Sequence, residues 1–322
     1  MKKILFENRA LHSIHPSGVG RYARCLFQEL QKKIAIQSIH LPFYLPKNSL
    51  LHLPEPMKFP KVKKGKVIVT FHDTFVMEEK NFFTEEFKLR LRKKFLYAMK
   101  NADRIIADSN YTRSRLLSHG CDENKIDVVW LAPTFPFSLR NTFREERNRK
   151  SILVLGNIEE RKMPRQLLEI AKAASEFHFS IIGNIGYLED SSTVDKLRAL
   201  KNVSLLGYCS DEEVISILQN SLCLLYISYD EGFGIPLVEG MSFGTPVITV
   251  KNGSLNEIGG DSVLYVSPEN VREVILQFQR LHEDKNYFEM YRRLGLERAK
   301  MFSWETTAMK TIEVYKKLEQ SQ

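Results

Sequence analysis

The 322-residue chain is 43% hydrophobic and 27% charged, which excludes a disordered or fibrous protein, and its length suits about two domains. No apolar run approaches the roughly 20 residues needed to cross a bilayer, and Glu7-Asn8-Arg9 breaks the apolar start, so a first strand is expected there rather than a signal peptide. The net charge of +8 is uneven, with 24 Lys and Arg against 13 Asp and Glu in residues 1–138 and 23 against 26 in the rest, and a basic half suits nucleic acid, an anionic membrane surface or an acidic substrate.

In chain order, residues 3–7 read as a strand and residues 20–33 as a helix, with Tyr22, Leu26 and Leu30 at helical spacing. Between them, His15-Pro16-Ser17-Gly18-Val19-Gly20-Arg21-Tyr22 is a glycine-rich turn that could hold phosphate or be a plain tight turn. It lacks the third glycine and downstream acid of a dinucleotide fingerprint, which weighs against an oxidoreductase. Strands are expected at 36–40, 50–53 and 67–71. The last ends in His72-Asp73, where α/β sites are built and a histidine can exchange a proton near neutral pH, or simply bond to backbone. The basic stretch 58–66 and the helix pattern 87–97 read as solvated faces, or, given their interleaved aromatics, as a membrane-contacting surface. Strands at 104–107 and 126–130 follow, separated by a helix that Ser109 can cap. Cys25, Cys121, Cys209 and Cys223 are scattered without zinc or redox spacing, as in a reducing cytoplasm.

Periodicity fades from 133 to 150. The expected division is a first domain at 1–138, a connection at 139–150, a second domain at 151–302 and a terminal helix at 303–322, which Ser303 can cap. The second domain repeats the α/β alternation: strand 152–155, a loop with Arg161 and Lys162, helix 165–176, strands 179–182 and 203–206, and helix 211–220. Then comes the stretch around which the chain is organised. The apolar run 222–227 reads as a strand buried on both faces, followed by Tyr229-Asp230-Glu231-Gly232-Phe233-Gly234-Ile235-Pro236-Leu237-Val238-Glu239 and a helix stop at Gly244-Thr245-Pro246. A strand, glycine bend and helix start present amides to an anion at the carboxyl edge of a parallel sheet. Glu231 and Glu239 should face something other than a phosphate. Sugar hydroxyls suit them, because a carboxylate can take two neighbouring donors, and a nucleotide-sugar supplies both groups. Arg161 and Lys162 lie on the same edge and fit a diphosphate. The plainer reading is a βα junction with surface charges.

These residues resemble the retaining glycosyltransferases of family four, which have the two-domain GT-B fold. The likeness rests on Glu231-Gly232-Phe233-Gly234-Ile235-Pro236 with Glu239, the 244–248 and 252–257 segments, Gly18-Val19-Gly20-Arg21-Tyr22, His72-Asp73, the 102–109 segment, Arg161-Lys162 and Ser303-Trp304-Glu305. It implies an α/β protein of two doubly wound Rossmann-like domains with a cleft between them and a last helix crossing back to the first. It also implies roles: Gly18 and Gly20 under the donor diphosphate and acceptor, His72 on the transferred sugar, Arg161 and Lys162 on the leaving diphosphate. Glu231 would hold sugar hydroxyls, Phe233, Gly234 and Ile235 would line the donor site with their amides, and Glu239 would hold the ribose. No metal or cofactor is implied.

The sequence departs from the family pattern at Asn157, where a basic residue is common, at Met163, where an asparagine is common, and in a short first domain. The resemblance further implies a hexosyltransferase acting with retention, similar to bacterial mannosyltransferases of surface polysaccharide or lipopolysaccharide synthesis, with GDP-mannose as donor. The acceptor would be a glycan or lipid-linked glycan; the location is expected to be cytoplasmic, with an anionic membrane surface as a further partner on the strength of the basic first domain. No nucleic-acid module accompanies the charge, so no such partner is expected. The alternatives are a nucleotide-sugar epimerase of the same shape and a non-catalytic glycan-binding protein.

Overall fold

A computed structural model describes residues 3–12, 17–57, 59–78, 84–135 and 148–320. Residues 139–147 of the expected connection, Lys58 of the basic stretch, and His15 and Pro16 lie outside the described residues. The chain divides into two compact units, Met1–Thr134 with Phe302–Gln322, and Phe135–Met301.

The first unit runs β1 (Lys3–Glu7), α1 (Gly18–Gln31), β2 (Ile36–Ile39), β3 (Tyr44–Leu45), β4 (Ser49–Leu53), β5 (Val62–Lys63), β6 (Lys66–Phe71), α2 (Glu85–Asn101), β7 (Arg104–Ala107), α3 (Asn110–Ser118) and β8 (Ile126–Val128). Its described strands form a parallel sheet in the order β2-β1-β4-β6-β7-β8, with β3 and β5 as a separate ladder. Every residue of β4 and all but the first of β6 are buried, because helices cover a parallel sheet on both sides. Phe95 of α2 packs edge-on against Phe71 at 4.6 Å, and truncating such a ring to alanine costs about 3–5 kcal/mol. The paired glycines form the first turn of α1 and not a loop before it. Ser17 caps this helix by accepting from Gly20 N, which lets the helix start at Gly18.

The second unit runs β9 (Asn148–Leu155), α4 (Pro164–Ala173), β10 (His178–Ile182), α5 (Ser192–Arg198), β11 (Val203–Gly207), α6 (Asp211–Asn220), β12 (Ser221–Tyr226), α7 (Ile235–Ser242), β13 (Val247–Thr249), α8 (Leu255–Gly259), β14 (Leu264–Tyr265), α9 (Val271–Glu283) and α10 (Lys285–Ala299). Its parallel sheet follows the order β11-β10-β9-β12-β13-β14. The winding therefore reverses between β9 and β12, and a doubly wound sheet binds ligands at the carboxyl ends of such a pair. Every β12 side chain is buried.

The last helix, α11 (Trp304–Gln320), belongs to the first unit. Ser303 caps it by accepting from Thr306 N at 3.1 Å. Tyr315 Oη meets His52 Nδ1 at 2.7 Å, His52 Nε2 meets Thr70 Oγ1 at 2.8 Å, and Thr70 meets Tyr22 Oη at 2.8 Å. This buried chain joins α11, β4, β6 and α1. Burial, then the nearby His72, lowers the His52 pKa to about 3. A neutral ring has one donor and one acceptor nitrogen, which suits hydroxyls on both sides.

Candidate active site

At the carboxyl end of β9 the chain passes Gly156 and Asn157 and makes one tight turn over Glu160–Lys162. At the end of β12 it passes Ser228 and Asp230 to Glu231. These two segments are tied together: Tyr229 N donates to Arg161 O at 2.9 Å, Ser228 Oγ to the same carbonyl at 3.1 Å, and Arg161 Nη1 to Asp230 O at 3.1 Å. The turn after β13 adds a third tie, with Ser254 N donating to Glu231 O at 2.9 Å. Gly253 lies in the left-handed region at φ +59, and a Cβ there would stand 2.6 Å from both Glu231 N and Glu231 O. Only glycine permits that approach.

The ties bring four charges together. Arg161 Nη1 donates to Glu231 Oε1 at 2.6 Å and Arg161 Nη2 to Glu159 Oε1 at 2.5 Å, while Lys162 Nζ donates to the same Glu231 oxygen. Lys162 Nζ also donates to Tyr226 Oη at 2.6 Å. The Arg161, Lys162 and Glu231 side chains are no more than 15% exposed. Burial pushes the Glu231 carboxyl up, but Arg161 and Lys162 outweigh it and bring its pKa down to about 2. Burial brings Lys162 down to about 8 against the upward pull of Glu231. Glu231 is thus ionised at neutral pH.

Glu231 accepts both cations, and does so on one oxygen, whereas a carboxylate has about four acceptor sites. Glu159 was not singled out from the sequence; its place two residues before Arg161, next to Glu160, gave no way to choose between the two acids. A cavity opens beside this cluster at the β9–β12 switch point, lined by Leu155, Gly156, Asn157, Lys162, Leu225 and Tyr226.

Gly234 caps the start of α7 at φ +90, and a Cβ on it would strike Leu255 Cδ2 at 2.6 Å. Phe233 is buried before it, Ile235 opens the helix, and Glu239 is buried one turn later. Met163, in the place of the family's asparagine, stands at φ 54 and is the only non-glycine residue with positive φ among the described residues. A left-handed conformation costs a side chain other than Asn or Asp about 1–2 kcal/mol.

The first unit carries its own charged pair. His72, just past β6, meets Asp108 Oδ2 through Nδ1 at 2.5 Å and Pro54 O through Nε2 at 2.9 Å. A backbone carbonyl only accepts, so Nε2 carries a proton, and the Nδ1 proton is shared with Asp108. Burial alone would lower the His72 pKa, but Asp108 and the Pro54 bond raise it to about 8. Both ring nitrogens are committed, to Asp108 and to Pro54 O, which favours the protonated ring below about pH 8, while burial also raises the Asp108 carboxyl. Asp108, 36 residues away in sequence, was not read as its partner. Gly18 is exposed and Gly20 buried in the first turn of α1.

The sequence profile described as "Glycosyl transferases group 1" matches residues 138–301, and that described as "Glycosyltransferase Family 4" matches 49–132. The chain belongs to the group 1 glycosyltransferases. Among curated relatives of this glycosyltransferase, the O-antigen chain mannosyltransferase B of Escherichia coli is 27% identical over 272 residues, covering 79% of this chain and 71% of the relative. An uncharacterized glycosyltransferase of Methanocaldococcus jannaschii is 28% identical over 259 residues, covering 78% and 68%. Among solved structures, Anabaena HepE in complex with UDP and glucose superposes with a TM-score of 0.76 at 16% identity over 98% of this chain and 100% of that one. Sucrose-phosphate synthase of Thermosynechococcus elongatus gives 0.74 at 17% over the whole of both. The glycosyltransferase therefore has the GT-B fold of two Rossmann-like domains.

Proposed function

We propose that this glycosyltransferase moves mannose from GDP-mannose to a glycan or lipid-linked glycan, with retention at the anomeric carbon and without a metal. The observation that carries this reading is the ionised Glu231 held by Arg161 and Lys162 at the β9–β12 switch point. Arg161 and Lys162 take the charge that builds on the leaving diphosphate, and the start of α7 adds its amides. Glu231 keeps acceptor sites for sugar hydroxyls, and Glu239 takes the ribose. The acceptor oxygen bonds to the anomeric carbon on the face that the phosphate leaves. The carbon–oxygen bond to phosphate breaks, its electron pair goes with the nucleoside diphosphate, and a phosphate oxygen takes the acceptor's proton. No protein nucleophile is required, and His72 contributes positive charge rather than a proton transfer. The mannosyl choice is supported by the printed activity of the Escherichia coli relative.

A thermal-shift panel of GDP, UDP and ADP tests the reading. At 100 times its Kd a nucleotide stabilises its protein by about 2.7 kcal/mol, worth several degrees here. GDP should give the largest shift, and Glu239→Ala should reduce it. If UDP dominates, the GDP-mannose assignment fails; if no nucleotide stabilises the wild type, the donor site itself is misplaced.

A further inference from the structure

We propose that Tyr226 is a positioning residue of the transfer site, holding the Lys162 ammonium in place and charged while Glu231 turns to the sugar. The assignment rests on the sugar-transfer reading, in which Arg161 and Lys162 meet the leaving diphosphate and Glu231 meets sugar hydroxyls. Those duties compete. Both cations share one Glu231 oxygen, and each contact that Glu231 makes with a hydroxyl weakens its hold on them. Long flexible side chains released in this way regain rotamer freedom, and their charge no longer waits where the leaving group needs it.

Each cation has a second holder. Arg161 gives Nη2 to Glu159 at 2.5 Å while Nη1 goes to Glu231. The second holder of Lys162 is Tyr226, whose hydroxyl accepts from Nζ at 2.6 Å and whose ring centroid lies 4.1 Å from the same nitrogen. One side chain thus meets the ammonium through a charge-assisted hydrogen bond and a cation–π contact together.

The fold keeps Tyr226 where it is. It is the last residue of β12, 3% exposed, and pairs in register with Thr249 of β13, whose Oγ1 donates to the Tyr226 carbonyl at 2.7 Å. Burial, and then the charge of Glu231, pushes the phenol pKa well up, so the group stays a neutral hydroxyl. Lys162 and Tyr226 line the same cavity at the β9–β12 switch point, so the held ammonium borders the space where a ligand of this edge would sit.

Competitive acetylation of the full chain with acetic anhydride, read by mass spectrometry from about pH 6 to 10, titrates the Lys162 amine without any donor. The groups that face this amine are Glu231, Arg161, Glu159 and Tyr226, and it titrates at about 8. A hydrogen bond to the ammonium favours the charged form, so Tyr226→Phe, which keeps the ring, should lower the midpoint by about one pH unit. Tyr226→Leu, which removes the ring as well, should lower it further. Steady-state release of GDP from GDP-mannose gives the second readout: Tyr226→Phe should lower kcat roughly tenfold or more, with KM moved less. Tyr287→Phe, which removes a hydroxyl bonded to Gln277 far along the chain on α9 and α10, should change neither. An unmoved Lys162 midpoint in Tyr226→Phe, or a moved midpoint with kcat at the wild-type value, would overturn the proposal. A wild type that releases no GDP would sink the donor assignment instead, and the acetylation midpoint would then decide whether Tyr226 holds the lysine.

Discussion

Each unit buries a charge at the carboxyl edge of its sheet, but the signs are opposite. In the second, the anion Glu231 is held by two cations; in the first, the cation His72 is held by an anion and a carbonyl. A buried charge is tolerated only when paired and hydrogen-bonded. The pairs differ in what they leave over. Glu231 receives both cations on one oxygen, side-chain partners that a ligand can replace, whereas His72 has no nitrogen to spare. The first arrangement is suited to exchanging partners with a ligand, the second to holding a fixed charge in place.

The largest test of this contrast removes the exchangeable pair. Glu231→Gln keeps the size and an acceptor oxygen, and Lys162→Ala removes one cation. Each should lower steady-state sugar transfer about 10²–10³-fold with a smaller effect on unfolding, and near-wild-type turnover in both would sink the assignment. Asp108→Asn should act the other way, lowering the first unit's unfolding free energy by about 3 kcal/mol while leaving the nucleotide-induced thermal shift in place. The two tryptophans, Trp130 and Trp304, both lie in the first unit, so their fluorescence reports it alone.

Acidity should also separate the units. The Glu231 pKa is depressed to about 2, so its contribution is present above the unfolded value and is lost as pH falls from about 4.5 toward 2. The His72 pKa is raised to about 8, so its contribution is full below about 6.5 and is lost as pH rises to about 8. Denaturant midpoints by tryptophan fluorescence should therefore fall between pH 6.5 and 8. Lys162, depressed to about 8, acts in a higher window and on the second unit, which gains stability as pH rises from about 8 toward 10.5 because the buried amine is then neutral while the unfolded one is still charged. A fluorescence midpoint flat from pH 6.5 to 8 would contradict the fixed-cation reading. The smallest effect is Tyr315→Phe, which removes one hydroxyl from the buried chain and should cost the first unit about 1 kcal/mol, read by the same fluorescence.

Features written in local pattern were legible in the sequence. The uninterrupted apolar run of β12, Pro236 early in α7, and Ser109 before α3 each announced an element because one short stretch decides it. The loop of Arg161 and Lys162 could be placed on the same edge as Glu231 by counting alternating strands. What depended on distant partners was not legible. Nothing near His72 indicates Asp108 or Pro54, and His52 within an apolar strand gives no sign of Tyr315. The two-residue strands β3 and β5 are too short to show a period, and β5 reads as part of the basic stretch 58–66. The glycines of α1 suggested a turn because their intrinsic preference outweighs, on paper, the capping hydroxyl of Ser17. Glu231 was expected to face sugar hydroxyls, and its pairing with Arg161 was not foreseen because it depends on the neighbouring loop, whose backbone ties press Arg161 onto Glu231.

The placement of α11 has a consequence for how the molecule is made. Once Met301 has been added to the growing chain, the second unit has all of its residues. The first still lacks Trp304, which donates to Pro133 O at 2.9 Å, and Tyr315, which ends the buried chain through His52. Domains usually fold in the order of their synthesis; here the half that is translated first is the half that is finished last.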